Sequence, residues 1–165
     1  MTARESSQGV RSMRDWLDSY SRDHQHPTNQ VLHWICVPLI VWSAIAMLWT
    51  APVPESLLRP GAWSVFAIVL AFTWYWKHSH RLGAALLVVL GLFALSCFAL
   101  FQQWGAMHLL QLGIGVFVLA WIGQFIGHVF EGRRPSFFTD LAYLLVGPAW
   151  LMDKLLRRLG LKETA

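Results

Sequence analysis

Six of the seven histidines, His24, His26, His33, His78, His80 and His128, fall where the apolar segments end, gathered at one end of a helical bundle. Imidazole is the commonest biological metal ligand and is costly in hydrocarbon, so this clustering needs a cause. The densest stretch is Trp121-Ile-Gly-Gln124-Phe-Ile-Gly-His128-Val-Phe-Glu131-Gly-Arg133-Arg134-Pro135, where an apolar helix runs into a histidine, a carboxylate and two arginines. Gln124, His128 and Glu131 are four and three apart and share a helix face. Gly123 and Gly127 beside them admit a close neighbour. Upstream, His26, Asn29 and His33 share a face by the same arithmetic, and the break at Pro27 lets His24 fold back toward His33. Three histidines within ten residues, His24, His26 and His33, facing His128 at the same depth, predict a metal site at a membrane surface. The bland alternative is a polar helix end leaving the bilayer, with Glu131 paired to an arginine. No HExxH motif or paired-cysteine zinc pattern occurs. His78 and His80 flank Ser79 beside Lys77 and Arg81 and read as a solvated turn, and His108 as an interfacial residue.

The elements that must position these residues are read from hydrophobicity. Of 165 residues, 56% are hydrophobic and 13% charged, against about 45–50% and about 25% in soluble domains. The length suits one domain. Val31–Thr50, Ala62–Trp76, Leu82–Phe101 and His108–Phe130 read as spanning helices; the second is short of the roughly 20 residues a bilayer needs. Twelve of the 13 lysines and arginines precede the first span, lie between the second and third, or follow the fourth, leaving Arg59 alone on the other side. That partition supports an even number of spans with both termini cytoplasmic. The net charge of +4 therefore reflects orientation and contact with anionic lipid rather than nucleic acid.

The expected fold is all-α: an integral membrane four-helix bundle with amphipathic surface helices at both ends. Residues 1–9 read as disordered. Val10, Met13, Leu17 and Tyr20 repeat at helical spacing and predict a surface helix over 10–23. Residues 137–161 divide into an apolar stretch, Phe137–Met152, which carries Asp140 and Gly147-Pro148 and reads as interfacial or re-entrant, and a second surface helix on the Leu151, Leu155, Leu156 and Leu159 stripe. Cys36 and Cys97 lie near opposite leaflets and read as packing residues.

Two separated motifs carry a resemblance. Tyr20-Ser-Arg-Asp-His24-Gln-His-Pro27-Thr-Asn29-Gln-Val-Leu-His33-Trp-Ile-Cys-Val-Pro38, with the Trp121–Pro135 stretch and Leu145-Val-Gly-Pro148, resembles a family of small membrane proteins whose yeast member is an iron(II)-dependent 2-hydroxy fatty acid dioxygenase. The resemblance covers nearly the whole chain past residue 13. It implies an Fe(2+) cofactor and cleavage of the C1–C2 bond of a long-chain 2-hydroxy fatty acid by O2, shortening it by one carbon (α-oxidation). His24, His33 and His128 match the family's histidines and are the metal ligands the resemblance implies, with His26 and Glu131 as further candidates. Tyr20, Pro27, Asn29, Gln124, Glu131 and Pro135 match other motif positions, which places Glu131, Asn29, Gln124 and Tyr20 at the expected catalytic centre. His26 stands where asparagine is expected, Glu131 is three residues past His128 as in many bacterial members, and His78 and His80 match no family histidine. The loop lengths favour the bacterial branch, hence the bacterial inner membrane with the site facing the cytoplasm.

On this reading a 2-hydroxy acid offers both its hydroxyl and its carboxylate to the metal, with Arg133 or Arg134 holding the carboxylate. Two other readings are a haem-binding electron carrier with His33 and His128 as axial ligands, and a non-enzymatic membrane scaffold whose histidines are interfacial.

Overall fold

The structure, a computed structural model, describes residues 12–54, 56, 58–132 and 143–161. All regular elements among them are helices: α1 (Met13–Asp23), α2 (Pro27–Thr50), α3 (Ala62–His78), α4 (His80–Glu131) and α5 (Tyr143–Arg158).

Local chemistry explains the starts of the first two. Ser12 Oγ accepts from the Asp15 amide and Asp15 Oδ2 accepts from the Ser12 amide, a reciprocal cap on α1. Pro27 opens α2, where its missing N–H costs nothing. The helix thus begins four residues earlier than the hydrophobic run at Val31, because capping and not hydropathy sets its start.

The 52 residues of α4 are not one rod. Gly105 has φ 76° and ψ 175°, a backbone conformation that side-chain-bearing residues rarely adopt. The contacts with α2 show what it does. In the first half, Trp42 Nε1 donates to Ser96 Oγ at 2.9 Å and Trp49 meets Phe98, so α4 advances alongside α2. In the second half Gly113 lies against Ala46, Gly123 against Cys36 and Gly127 against Asn29, so the chain runs back. The reversal is made at Gly105, with helix on both sides of it where the predicted spans end at Phe101 and resume at His108.

The α3 helix starts beside the far part of α2, where Ser64 Oγ donates to the Ile45 carbonyl at 2.8 Å. It ends near α5, where Tyr75 Oη donates to the Leu145 carbonyl at 2.9 Å. Four apolar helical segments therefore run alternately up and down, with α1 and α5 packed across the end that carries the histidines.

Two apolar clusters hold this arrangement. One, around Ile45, Trp49, Leu90, Cys97 and Leu109, sits at the far end. The other joins Met13, Leu17 and Tyr20 of α1 to Val146, Trp150 and Leu151 of α5 and to Tyr75 and Leu86. The apolar stripe of α1 is therefore buried against α5 within the protein. α5 is a single helix through Gly147-Pro148, where the expectation was an interfacial or re-entrant stretch followed by a separate surface helix. A proline there forfeits one backbone bond, and burial of Val146, Ala149 and Trp150 on either side compensates. Both cysteines are buried and free.

By length and composition, α2 and α4 are apolar enough to cross a membrane. Their outward faces are bare: Val31 on α2 is 58% exposed, and Leu119 and Val129 on α4 are 70% and 78% exposed.

Candidate metal centre

His24, His33 and His128 converge at the α1–α2 junction, each offering a nitrogen, all within 4.8 Å of one another. The ring centroids are 4.4 Å apart for His24 and His33, 5.1 Å for His24 and His128, and 5.3 Å for His33 and His128. All three are buried.

Each histidine arrives by a different route. His24 caps the C-terminus of α1, and its Nδ1 donates to the Tyr20 carbonyl one turn back, at 2.7 Å. His33 lies two turns into α2, and its Nδ1 donates to the Asn29 carbonyl at 2.9 Å. A carbonyl only accepts, so both Nδ1 atoms carry the proton and both Nε2 atoms present a lone pair. Metal-binding histidines are oriented in this way. His128 comes from the last turn of α4, whose approach to α2 depends on Gly123 and Gly127. A Cβ at Gly127 would lie 2.5 Å from Asn29 Oδ1, and one at Gly123 would lie 2.6 Å from Cys36 Sγ.

His24 Nε2 and His128 Nδ1 are buried without a hydrogen-bond partner among the described residues. Burial of such atoms costs free energy unless something satisfies them. Burial also pushes the His24 pKa below the usual imidazole value, which keeps the ring neutral as a ligand must be. Two imidazoles with inward Nε2 lone pairs and a third ring with an unpartnered nitrogen fit a divalent transition metal, and three protein ligands would leave positions for other molecules.

The other candidate residues surround this cluster in distinct ways. Glu131 accepts from the main-chain amides of Gln25 (2.8 Å) and His26 (2.9 Å) and from Asn29 Nδ2 (2.9 Å). Its carboxylate thus occupies the N-terminus of α2, where unpaired amides and the helix dipole favour an anion, and the cluster of three histidines does not include it. His26 is the N-cap of α2: its Nδ1 accepts from the Thr28 amide at 3.2 Å, and its ring lies on Phe130. Tyr20 stacks on His24 with centroids 4.0 Å apart and planes 13° apart. Burial, with help from Asp23, pushes its phenol well above the usual pKa, so it stays a neutral donor.

Gln124 is buried, and its Oε1 has no partner among the described residues. It lines a cavity of about 60 Å³ together with His33, His128, Tyr20, Trp121 and Gly147. His78 is half-buried, with its Nδ1 on the Trp74 carbonyl, while His80 and His108 are exposed; none joins the cluster. Arg133, Arg134 and Pro135 lie outside the described residues.

Sequence reasoning missed a second support, from α5. Lys154 Nζ donates to Gln30 Oε1 at 2.9 Å, and Gln30 Nε2 donates to the His24 carbonyl at 3.0 Å. Trp150 stands 5.8 Å from His24 and 6.3 Å from His33, centroid to centroid, and its Nε1 donates to Ser21 Oγ. These residues are far apart in sequence and meet only when α5 docks.

Comparison with known proteins agrees with this geometry. The chain matches the 2-hydroxy-palmitic acid dioxygenase Mpo1-like family over residues 10–159. It is 31% identical over 156 residues to the 2-hydroxy-palmitic acid dioxygenase MPO1 of Saccharomyces cerevisiae, covering 93% of this chain and 84% of the yeast protein. No solved structure matches significantly. The chain belongs to the 2-hydroxy-palmitic acid dioxygenase Mpo1-like family.

Proposed function

We propose that this member of the Mpo1-like family is a membrane-embedded iron(II) dioxygenase that shortens long-chain 2-hydroxy fatty acids by one carbon. The observation that carries the reading is the buried triad of His24, His33 and His128, with two ring nitrogens lacking a partner among the described residues. Its relative's activity on 2-hydroxypalmitic acid supplies the substrate class.

The three imidazoles would hold the iron, which when bound supplies the redox chemistry that dioxygen requires. The chain's own residues do the rest. The Tyr20 and Asn29 carbonyls fix two imidazoles in the tautomer that binds metal. Glu131 clamps the start of α2 and is a positioning residue in this account, neither ligand nor base. Gln124 lines the cavity and accepts from the substrate's 2-hydroxyl, which plain fatty acids lack. Tyr20 donates its phenolic proton to the bound substrate. Arg133 and Arg134, next along the chain, supply positive charge for the carboxylate.

The bilayer supports the same reading. In a soluble protein an apolar helix is mostly buried in the core, yet the most apolar windows of α2 and α4 are only 33% and 17% buried. On this reading the two halves of α4 make two crossings and α2 and α3 two more, and the partition of lysines and arginines supports a four-span bundle with both termini cytoplasmic. The polar end at His24 and His128 then faces the interface, where an acid keeps its carboxylate wet and its tail in hydrocarbon.

The test is purified protein loaded with iron(II) and given 2-hydroxypalmitate and oxygen, with product identified by mass. A fatty acid one carbon shorter, formed only with both iron and oxygen, is expected. No product from iron-loaded protein across 2-hydroxy acids of different length would overturn the reading.

A further inference from the structure

The cavity beside the triad has an apolar neighbour. A groove of about 190 Å³ runs between α2, the first half of α4, and α5, and Val37, Val41 and Pro148 form part of the walls of both spaces. No charged, amide or hydroxyl side chain lines the groove. Even the shared wall withholds a donor, because Pro148 has no N–H. Leu86 and Leu90 form a buried floor, while Leu155 is exposed at the rim. From Leu86 to Phe93 the groove follows about 10 Å of helix at 1.5 Å per residue.

Resting on the reading that a 2-hydroxy acid binds at the triad, we infer that its alkyl tail passes Val37 and Val41 beneath Pro148 and lies in this groove. The head requires polar partners, which the cavity supplies through His33, His128 and Gln124. The tail requires their absence, and the adjoining space is the one that offers it. An alkyl chain also restores dispersion contacts that an unfilled apolar groove lacks. Groove length and width, set by Val89, Leu90 and Phe93, then determine which acyl lengths are accepted.

Two experiments test this on the full chain in detergent. In the first, Val89→Trp, at a half-buried position, narrows the groove without touching the triad. The expected result is a loss of about tenfold or more in kcat/KM for 2-hydroxypalmitate, with 2-hydroxyoctanoate and metal content unchanged, since pocket discrimination commonly reaches that size. An unchanged ratio between the two acids overturns the proposal while leaving the activity intact. In the second, 2-hydroxypalmitate carrying a diazirine near its tail end is photolysed on wild-type protein, a readout independent of catalysis and of how the variant folds. Label on Leu86–Phe93 or Leu151–Leu155, competed away by unlabelled 2-hydroxypalmitate, supports the groove even if neither acid is turned over. Label confined to outward residues such as Phe66, Leu119 or Val129 overturns it.

Discussion

The side-chain amide of Asn29 donates to Glu131 Oε2 at 2.9 Å, while the main-chain carbonyl of Asn29 accepts from His33 Nδ1 at 2.9 Å. One residue therefore joins the end of α4 to the orientation of a ring in the cluster. The same carboxylate accepts from the Gln25 amide, the residue after His24. Glu131 thus touches the routes by which both His24 and His33 reach the site.

Glu131→Ala should accordingly weaken metal binding without removing a ligand. Loss of an outer partner that orients a ligand typically costs about 10–100-fold in affinity. The clasp also stabilises the fold by about 1–3 kcal/mol on the scale of hydrogen bonds to charged groups. Metal titration should show weaker affinity at full stoichiometry, with Glu131→Gln intermediate. Loss of the site altogether would make Glu131 a direct ligand.

Replacing His24, His33 or His128 by alanine should each abolish stoichiometric metal while leaving helical circular dichroism intact. His78→Ala and His108→Ala should retain full metal content, since neither side chain joins the cluster. Elemental analysis of protein purified without oxygen checks this; metal retained by His33→Ala would contradict the triad.

Helix approach is the next requirement. Gly127→Ala pushes a methyl group against Asn29, and Gly123→Ala pushes one against Cys36. Overpacking of this kind costs about 1–3 kcal/mol, and thermal unfolding should show it together with reduced metal affinity. Gly91→Ala, with nothing within 4 Å, should be neutral or stabilising by about 0.5–1 kcal/mol. An equal response at all three glycines would remove the close-approach argument.

Topology has its own check. A cysteine introduced at Trp104, beside the reversal, should react with an impermeant maleimide from the outer face, and one at Leu161 should not. Cys36 and Cys97 are buried and should stay silent. Labelling of Leu161→Cys from outside would contradict cytoplasmic termini.

Parts of this arrangement are legible in the sequence for physical reasons, and parts are not. Asn29 and His33 are one helical turn apart, so their shared face follows from spacing. His24 lies beyond Pro27, and its ring orientation depends on α1 ending one residue earlier and returning a carbonyl from Tyr20. Glu131 beside His128 looks like a ligand in one dimension, because a carboxylate that caps a helix and one that binds metal have the same spacing. Its partners come from a chain segment about a hundred residues away. The apolar stretch carrying Gly147-Pro148 reads as interfacial or re-entrant, yet α5 is one helix through it because Trp150, Val146 and Ala149 are buried on both sides. The Lys154–Gln30–His24 chain has no sequence signal at all, since only docking of α5 creates it. Gly105 differs: its lone glycine between two apolar runs marks the reversal, though as a single residue and not a loop.

The most direct test of the central claim is spectroscopic. Protein loaded anaerobically with iron(II) is exposed to nitric oxide, and the EPR spectrum is recorded with no acid, with palmitate and with 2-hydroxypalmitate. The account predicts a high-spin non-haem iron–nitrosyl signal in wild-type protein that 2-hydroxypalmitate alters and palmitate does not, and no such signal in His33→Ala or His128→Ala. A signal that persists in both variants, or that responds equally to the two acids, would contradict the assignment of His24, His33 and His128 as an iron centre that binds 2-hydroxy acids.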